Sequence, residues 1–451
     1  MFGKRPVGNP RSLPHTWKSQ SSGGWVLQSK TVTNPTGPAK QVAPQRGRNA
    51  AQGSVLLVGS SVRWAAQSAA ACGFRVVGMD CFGDLDTRAA CTHFQKITSA
   101  ERADRQQLVQ SISQLAARQR AAVIEVGGLM SVSPGLDEPF QRHPATALSP
   151  AQTELAEQAR DAGFRVPESV SANLAAHDSN GRWLVKESQA TGGLGVSFRE
   201  SWHHREIPAS AVLQRWIPGR AMGLVALADE WGVSLLGMTQ AIYQRIGDRP
   251  FIYAGSRTTA PKDAVPWSAM HSLCEQISRT RRLRGLFNLD WIVDRENQWW
   301  LLEINERPSA SCEVLEKSMQ HTHRCLDTTS LMRGHLAAVL PQRFPIPSRS
   351  HAFPSTPLSP TSSHVKRIVY SRSSGQAYLT ELARQKSGSG GLVRDGDVPV
   401  QWQIADVPAD GTPVQRGQPI ATLLVDGVAD AASLARCVRL GQREIQKCVR
   451  S

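Results

Sequence analysis

Two stretches of this chain carry side chains whose types and spacing could act together. The first is "FNLDWIVDRENQWWLLEIN", residues 287–305, which has the pattern of two strands joined by a turn at Asp294 to Gln298. Side chains alternate across a strand, so Glu303 and Asn305 share one face, and a hairpin turning near residue 296 brings Asp290 alongside them. Three oxygen donors on one face suit a hard divalent cation, Mg²⁺ with Mn²⁺ as the alternative, which would also bridge nucleotide phosphates. A plain polar sheet face would carry the same residues, but two carboxylates so placed repel each other unless a cation lies between them.

The second stretch is "WLVKESQATGGLGVSF", residues 183–198. A strand carries Lys186 to its end, and the following loop holds Ser188, Thr191, Gly192, Gly193 and Gly195. Such a loop can fold its backbone N–H groups around phosphate oxygens, because glycine permits close approach. The lysine precedes the glycines and GxxxxGK[ST] is absent, so this is not a Walker A loop. A Gly-rich hairpin turn is the other reading of the same residues. Nearby, the basic "RTRRLRG" at 279–285 reads as a solvated helix end favoured by the helix dipole, or as Arg pairs recognising an acidic substrate or a triphosphate. Tyr253 and Ser256, in "FIYAGS", could face an acceptor pocket, while His203 and His204 read as surface loop residues.

These residues need elements to hold them. The apolar run 54–58, a Gly-Ser turn at 59–61, a helix and a strand at 74–79 make one βαβ unit. A further apolar strand at 121–128 extends a parallel sheet to about residue 135. "GSSVRW" is not GxGxxG, so a dinucleotide fold is not indicated. A helix opening at Ser149 leads into a β-rich section interrupted by one long helix across 265–283. Residues 343–364 form a Pro/Ser linker, and a small β module with a final helix follows. The expected organisation is therefore a basic arm at 1–52, an α/β domain at 53–148, a β-rich domain at 149–342, the linker at 343–364 and a C-terminal module at 365–451.

Composition narrows the class. With 451 residues, 40% of them hydrophobic, the chain can bury a sizeable core, and no stretch of about eighteen apolar residues suggests a membrane span. A cytoplasmic, enzyme-sized protein is expected, with no membrane partner. The net charge is +15, but residues 1–52 hold eight Lys/Arg and no acid, which leaves the other 399 residues at +7. That arm, rich in Ser, Gly, Pro, Gln and Asn, is expected to be disordered, and no groove-reading motif accompanies it to indicate nucleic acid. The eight cysteines lack CxxC pairs and zinc-site histidines and read as reduced thiols.

Together these features resemble the ATP-grasp superfamily. In that family a strand lysine and a Gly-rich loop cover the ATP phosphates, a short segment lies against adenine, and an Asp followed by Glu-x-Asn holds magnesium. The resemblance places Lys186 and "SQATGGLG" on the phosphates, Gln214, Trp216 and Ile217 of "LQRWIPG" at the adenine, and Asp290, Glu303 and Asn305 on the metal. "EINERPS" resembles the E-x-N-x-R form of carboxylate-amine ligases, which implies that Arg307 approaches the transferred phosphate or the acyl phosphate. The implied fold is α/β and α+β: a Rossmann-like pre-ATP-grasp domain, the ATP-grasp fold and a small C-terminal β module. The implied activity is an ADP-forming ligase joining small-molecule carboxylate and amine substrates with ATP and Mg²⁺, with a homo-oligomer compatible. Within the superfamily the chain is similar to predicted carboligases resembling tyramine-glutamate ligase, which implies one-carbon cofactor biosynthesis with a pterin- or furan-type product. Two departures stand out: "AQTELAEQARDAGF" supplies no second phosphate lysine, for which Arg160 is a substitute, and Arg215 and Ala221 stand where an adenine or ribose acid is usual. They leave a non-catalytic ATP-binding regulator or assembly protein of the same fold as the alternative.

Overall fold

The computed structural model describes residues 53–127, 150–172, 181–187, 192–202, 206–259, 265–322, 330–344, 363–386, 392–395, 398–428 and 431–450. The expected disordered arm at 1–52 and most of the expected linker at 343–364 lie outside them, as do Ser188, Thr191, His203 and His204.

Apolar runs open the described chain and become a parallel sheet. β1 (Ser54–Val58), β2 (Arg75–Asp80), β3 (His93–Lys96) and β4 (Ala122–Glu125) run in the order β3-β2-β1-β4. The helices between them are α1 (Arg63–Ala71), α2 (Leu85–Ala90), α3 (Ser99–Ala103) and α4 (Arg105–Gln119). Local chemistry sets their ends: Thr98 and Glu101 form a capping box, and Asp104 accepts from Gln106 and Gln107 N–H at the start of α4. Both faces of the sheet are covered, so Val55, Leu56, Leu57 and Val77 are fully buried.

After α5 (Pro150–Asp161), a four-stranded sheet holds β5 (Ser169–Ser171), β6 (Trp183–Lys186), β7 (Val196–Phe198) and β8 (Val212–Arg215) in the order β5-β8-β6-β7. A nine-stranded sheet then begins with β9 (Arg220–Asp229), β10 (Gly232–Ile246) and β11 (Arg249–Thr258). It continues past α6 (Trp267–Arg281) with β12 (Gly285–Val293) and β13 (Trp299–Asn305). α7 (Ser311–Thr322) and α8 (Leu331–Val339) follow.

The C-terminal strands β14 (Ser363–Tyr370), β16 (Leu392–Asp395), β17 (Val398–Ala405) and β19 (Pro419–Val428) continue this same sheet through the pairing of β14 with β11. The short β15 (Gly375–Ala377), β18 (Thr412–Val414) and β20 (Val449–Arg450) form a separate sheet, and α10 (Ala431–Lys447) packs on β19. α9 (Thr380–Gln385) lies against β17.

The faces of the large sheet differ in what covers them. One packs on α5 and α6 through Leu224, Ala226, Phe287, Leu289, Trp291, Met270 and Ile277. The other packs on α7 and α8 through Val225, Leu227, Leu286, Cys312, Leu315 and Met319. Asp290 lies in register with Gly223 and Glu303 on this second face.

No helix among the described residues is long and apolar enough to cross a membrane.

Candidate functional site

The β12–β13 hairpin turns where the sequence suggests, with Asn297 in the left-handed region and Asp294 capping the turn through Glu296 and Gln298 N–H. Its register pairs Asp290 with Glu303 and Asn288 with Asn305, and then slips by one residue, so that Trp291 pairs with Leu301. The bulge at Leu302 lets Leu301 turn into the apolar core while Glu303 faces Asp290.

Both oxygens of Asp290 are held. Asn288 Nδ2 donates to Oδ1 at 2.6 Å and Asn305 Nδ2 donates to Oδ2 at 2.9 Å. Asn305 Oδ1 in turn accepts from an Arg307 guanidinium nitrogen at 3.3 Å. Part of the Asp290 surface remains accessible, yet burial and then the Glu303 charge hold its carboxyl well above the ordinary carboxylate range. Asn288 is 2% exposed and accepts from Ser309 at 3.5 Å. The sequence reading passed over it, although it stands two residues before Asp290 and therefore on the same face.

The small sheet closes the site from the other side. Lys186, the last residue of β6, places Nζ 3.8 Å from Glu303 Oε2 and donates to Gln214 Oε1 at 3.4 Å. Gln214 is fixed by a bond from its Nε2 to Ser169 Oγ at 3.1 Å. Past the loop, Gly193 has φ +79° and approaches the Phe251 carbonyl so closely that a Cβ would collide with it. Tyr253 N–H donates to the Gly192 carbonyl at 2.9 Å and Glu187 N–H to the Gly195 carbonyl at 2.9 Å, so the glycines are tied to both sheets.

Trp216 and Ile217 are half-buried just after β8; Trp216 stands edge-on to Phe198, with the Arg182 guanidinium 3.7 Å from the Phe198 ring centre. A cleft of about 140 Å³ is lined by Thr153, Arg160, Ser169, Gln214, Leu301 and Leu302. Arg160, the cation that the sequence offers in place of a second phosphate lysine, lines this cleft.

The structure therefore brings together Lys186, Gly192, Gly193, Gly195, Gln214, Asp290, Glu303, Asn305 and Arg307. The "RTRRLRG" segment goes elsewhere: Arg281 is buried against Glu306 at 2.7 Å, Arg279 pairs with Glu275, and Arg282 ends α6 in the left-handed region. Tyr253 donates to Ser256 Oγ at 3.1 Å on the site face of β11, in register with Tyr243.

The donor set fits a divalent cation. Two carboxylates in register across a hairpin, with their charges opposed in a partly buried setting, are what such an ion stabilises. Among the described residues no group of three or more His, Cys, Asp or Glu converges on one point. Asp290, Glu303 and Asn305 are the side chains that would hold such a cation.

A sequence model of the ATP-grasp domain matches residues 152–311, a span that includes β6, the glycine loop, the hairpin and Arg307. A search of curated proteins finds no match. Among solved structures, the L-amino acid ligase from Bacillus licheniformis is 11% identical with a TM-score of 0.58, covering 87% of this chain and 97% of that one. The N5-carboxyaminoimidazole synthetase from Staphylococcus aureus, complexed with ADP, is 13% identical with a TM-score of 0.54, covering 86% and 96%. The biotin carboxylase domain of the Hydrogenobacter thermophilus 2-oxoglutarate carboxylase, in complex with MgADP and bicarbonate, is 11% identical with a TM-score of 0.55, covering 82% and 85%. At these identities the likeness is one of fold.

Proposed function

On the premise that residues 152–311 are an ATP-grasp domain, we propose that this chain is an ADP-forming ligase that activates a small carboxylate with ATP and joins it to an amine. The observation that carries the reading is the meeting of two sheets at one point: the Asp290–Glu303 pair on the large sheet faces Lys186 and Gln214 on the small one. In the proposed step a substrate carboxylate oxygen attacks the γ-phosphorus, the bond to the β,γ-bridging oxygen breaks, and ADP leaves with its electron pair. The resulting acyl phosphate is attacked by an amine nitrogen, the amide C–N bond forms and phosphate departs. Such transfers depend on positioning and charge neutralisation.

Each residue has a task in this scheme. Lys186 and the N–H groups about Gly192, Gly193 and Gly195 hold the phosphates, and Gln214, Trp216 and Ile217 border the base. Asp290, Glu303 and Asn305 hold Mg²⁺, which when bound neutralises phosphate charge. Arg307, which donates to Asn305 Oδ1, would meet the charge that develops on the acyl phosphate. The L-amino acid ligase likeness supports an amino-acid-type carboxylate; the resemblance to tyramine-glutamate ligase is the ground for a place in one-carbon cofactor biosynthesis, in the cytoplasm.

The test is hydroxylamine trapping with purified protein, Mg-ATP and pooled carboxylic acids. Hydroxamate with stoichiometric ADP is the expected result, and dividing the pool names the acid. AMP in place of ADP would overturn the acyl phosphate, and bound but unconsumed ATP would turn the reading toward a regulator.

A further inference from the structure

Asn288 lies two residues before Asp290 on β12, and side chains two apart on a strand share a face. It is 2% exposed, whereas Asp290, Glu303 and Asn305 are half-buried, so it stands beneath the three oxygen donors. Its Nδ2 donates to Asp290 Oδ1 at 2.6 Å. Its Oδ1, the one atom of this side chain that could ligate a cation, accepts from Ser309 Oγ at 3.5 Å. Asn288 can therefore act on a cation only through Asp290.

The neighbouring strands are built around this amide. Gly223 of β9 is in register with Asp290, and a Cβ there would come within 3.3 Å of both Asn288 Oδ1 and Thr239 Oγ1. A side chain at 223 would press on the amide, and glycine leaves it room. Across the hairpin Asn305, in register with Asn288, donates to Asp290 Oδ2 at 2.9 Å. Each oxygen of Asp290 thus accepts from one neutral amide and keeps a further lone pair.

That neutrality separates Asn288 from the alternatives at its position. A lysine would fix Asp290 as firmly but cancel its charge, as Lys366 does for Glu313 at 2.8 Å. An acid would set a third negative charge behind the pair. An amide donor sets the direction of the carboxylate and leaves its charge for an ion.

We propose that Asn288 is a positioning residue of the metal centre, holding the Asp290 carboxylate in the orientation from which it meets the divalent cation beside Glu303; the assignment rests on the ligase reading above. Released from Asn288, the carboxylate turns about its Cβ–Cγ bond, and the ion then has to order a mobile ligand as it binds. Groups that orient a metal ligand in this way account for about 10- to 100-fold in metal affinity.

The experiment measures Mn²⁺ uptake by the full chain and by Asn288→Leu in the presence of ADP, as loss of the free-ion paramagnetic resonance signal against a blank of ADP alone. Leucine is close to asparagine in size and donates nothing. The expected result is Mn²⁺ held about 10- to 100-fold more weakly by the variant, with the melting temperature of the metal-free protein within about 2 °C of wild type. The Mg²⁺ concentration for half-maximal ADP formation should rise by the same factor, and excess Mg²⁺ should return much of kcat. An unchanged Mn²⁺ affinity would overturn the assignment, and with a large fall in melting temperature it would make Asn288 a packing residue. Should Asn288→Leu not fold, Asn288→Val, smaller and suited to a strand, is read in the same way. A wild-type protein that takes up no Mn²⁺ beyond the blank would overturn the metal centre and the assignment together. A wild-type protein that binds Mn²⁺ and loses affinity on Asn288→Leu, yet makes no ADP with any acid, would sink the ligase reading and leave Asn288 in its role.

Discussion

The chain gathers acids in two places and treats them in opposite ways. At the hairpin, Asp290 and Glu303 face each other with amides and one distant lysine for company. At the junction of α1, α7 and the C-terminal strands, Glu313 is 2% exposed and answered in full. Arg63 meets it at 2.7 and 2.8 Å, and Lys366 at 2.8 Å. Arg63 also pairs with Asp406 at 2.7 Å. Although burial alone would raise it, the two cations hold the Glu313 carboxyl well below its ordinary range, while Asp290 is held above its own. The lesson is in the countercharge. Where the fold supplies its own cation, the acid joins three segments; where it does not, the acid waits for a ligand.

The sharpest way to break this contrast is to delete one acid from each place. Glu303→Ala should lower turnover by about 1,000-fold or more and leave the melting temperature within about 2 °C, because the lost partner is a metal–phosphate group absent from the resting fold. Glu313→Ala should do the reverse. It strands Arg63 and Lys366 without their shared partner, a loss of about 3–5 kcal/mol, read as a large drop in the urea midpoint. If both variants lost stability equally, the distinction between the clusters would fail.

A smaller effect is expected at Lys186, which bridges the sheets. Its pair with Glu303 is long and partly open, at 3.8 Å, so it contributes little to the fold. Lys186→Met should raise the KM for Mg-ATP by about 10- to 100-fold, the scale of a charged phosphate contact, with little change in melting temperature. A stability loss without a KM change would make Lys186 a strut between sheets.

The sequence showed the first cluster far better than the second. Asp290, Glu303 and Asn305 fall within one hairpin, whose turn is written in "VDRENQ", so period-two alternation and a turn signal suffice to place them together. Even there, the bulge at Leu302 was invisible, because a slipped residue leaves no mark on an apolar run. Arg63, Glu313, Lys366 and Asp406 come from positions up to 343 residues apart, and only the tertiary fold brings them within reach. The C-terminal strands were legible as β structure, but their union with the large sheet depends on the β11–β14 pairing, for which no local pattern speaks.

The smallest expected effect lies at the edge of the second cluster, in Asp84. It is 8% exposed, and its carboxyl is pushed up to about 8 by burial and then by Asp406, Asp86 and Asp80, with Arg63 pulling the other way. The unfolded chain would release this proton near the ordinary carboxylate value of 3.8, while the fold keeps it until about 8. Between those values the folded state binds more protons than the unfolded one, so stability declines as pH rises and levels off above 8. His335 has the opposite sign: burial lowers it to about 4 from 6.5, so its contribution to stability grows as pH rises between those values. Above pH 6.5 only the Asp84 slope remains of the two. Asp84→Asn, which cannot ionise, should therefore melt a few degrees higher than the wild type at pH 8 and show a shrinking advantage toward pH 5. A difference independent of pH would mean that Asp84 is already ionised in the fold, and that Arg63 answers it as it answers Glu313.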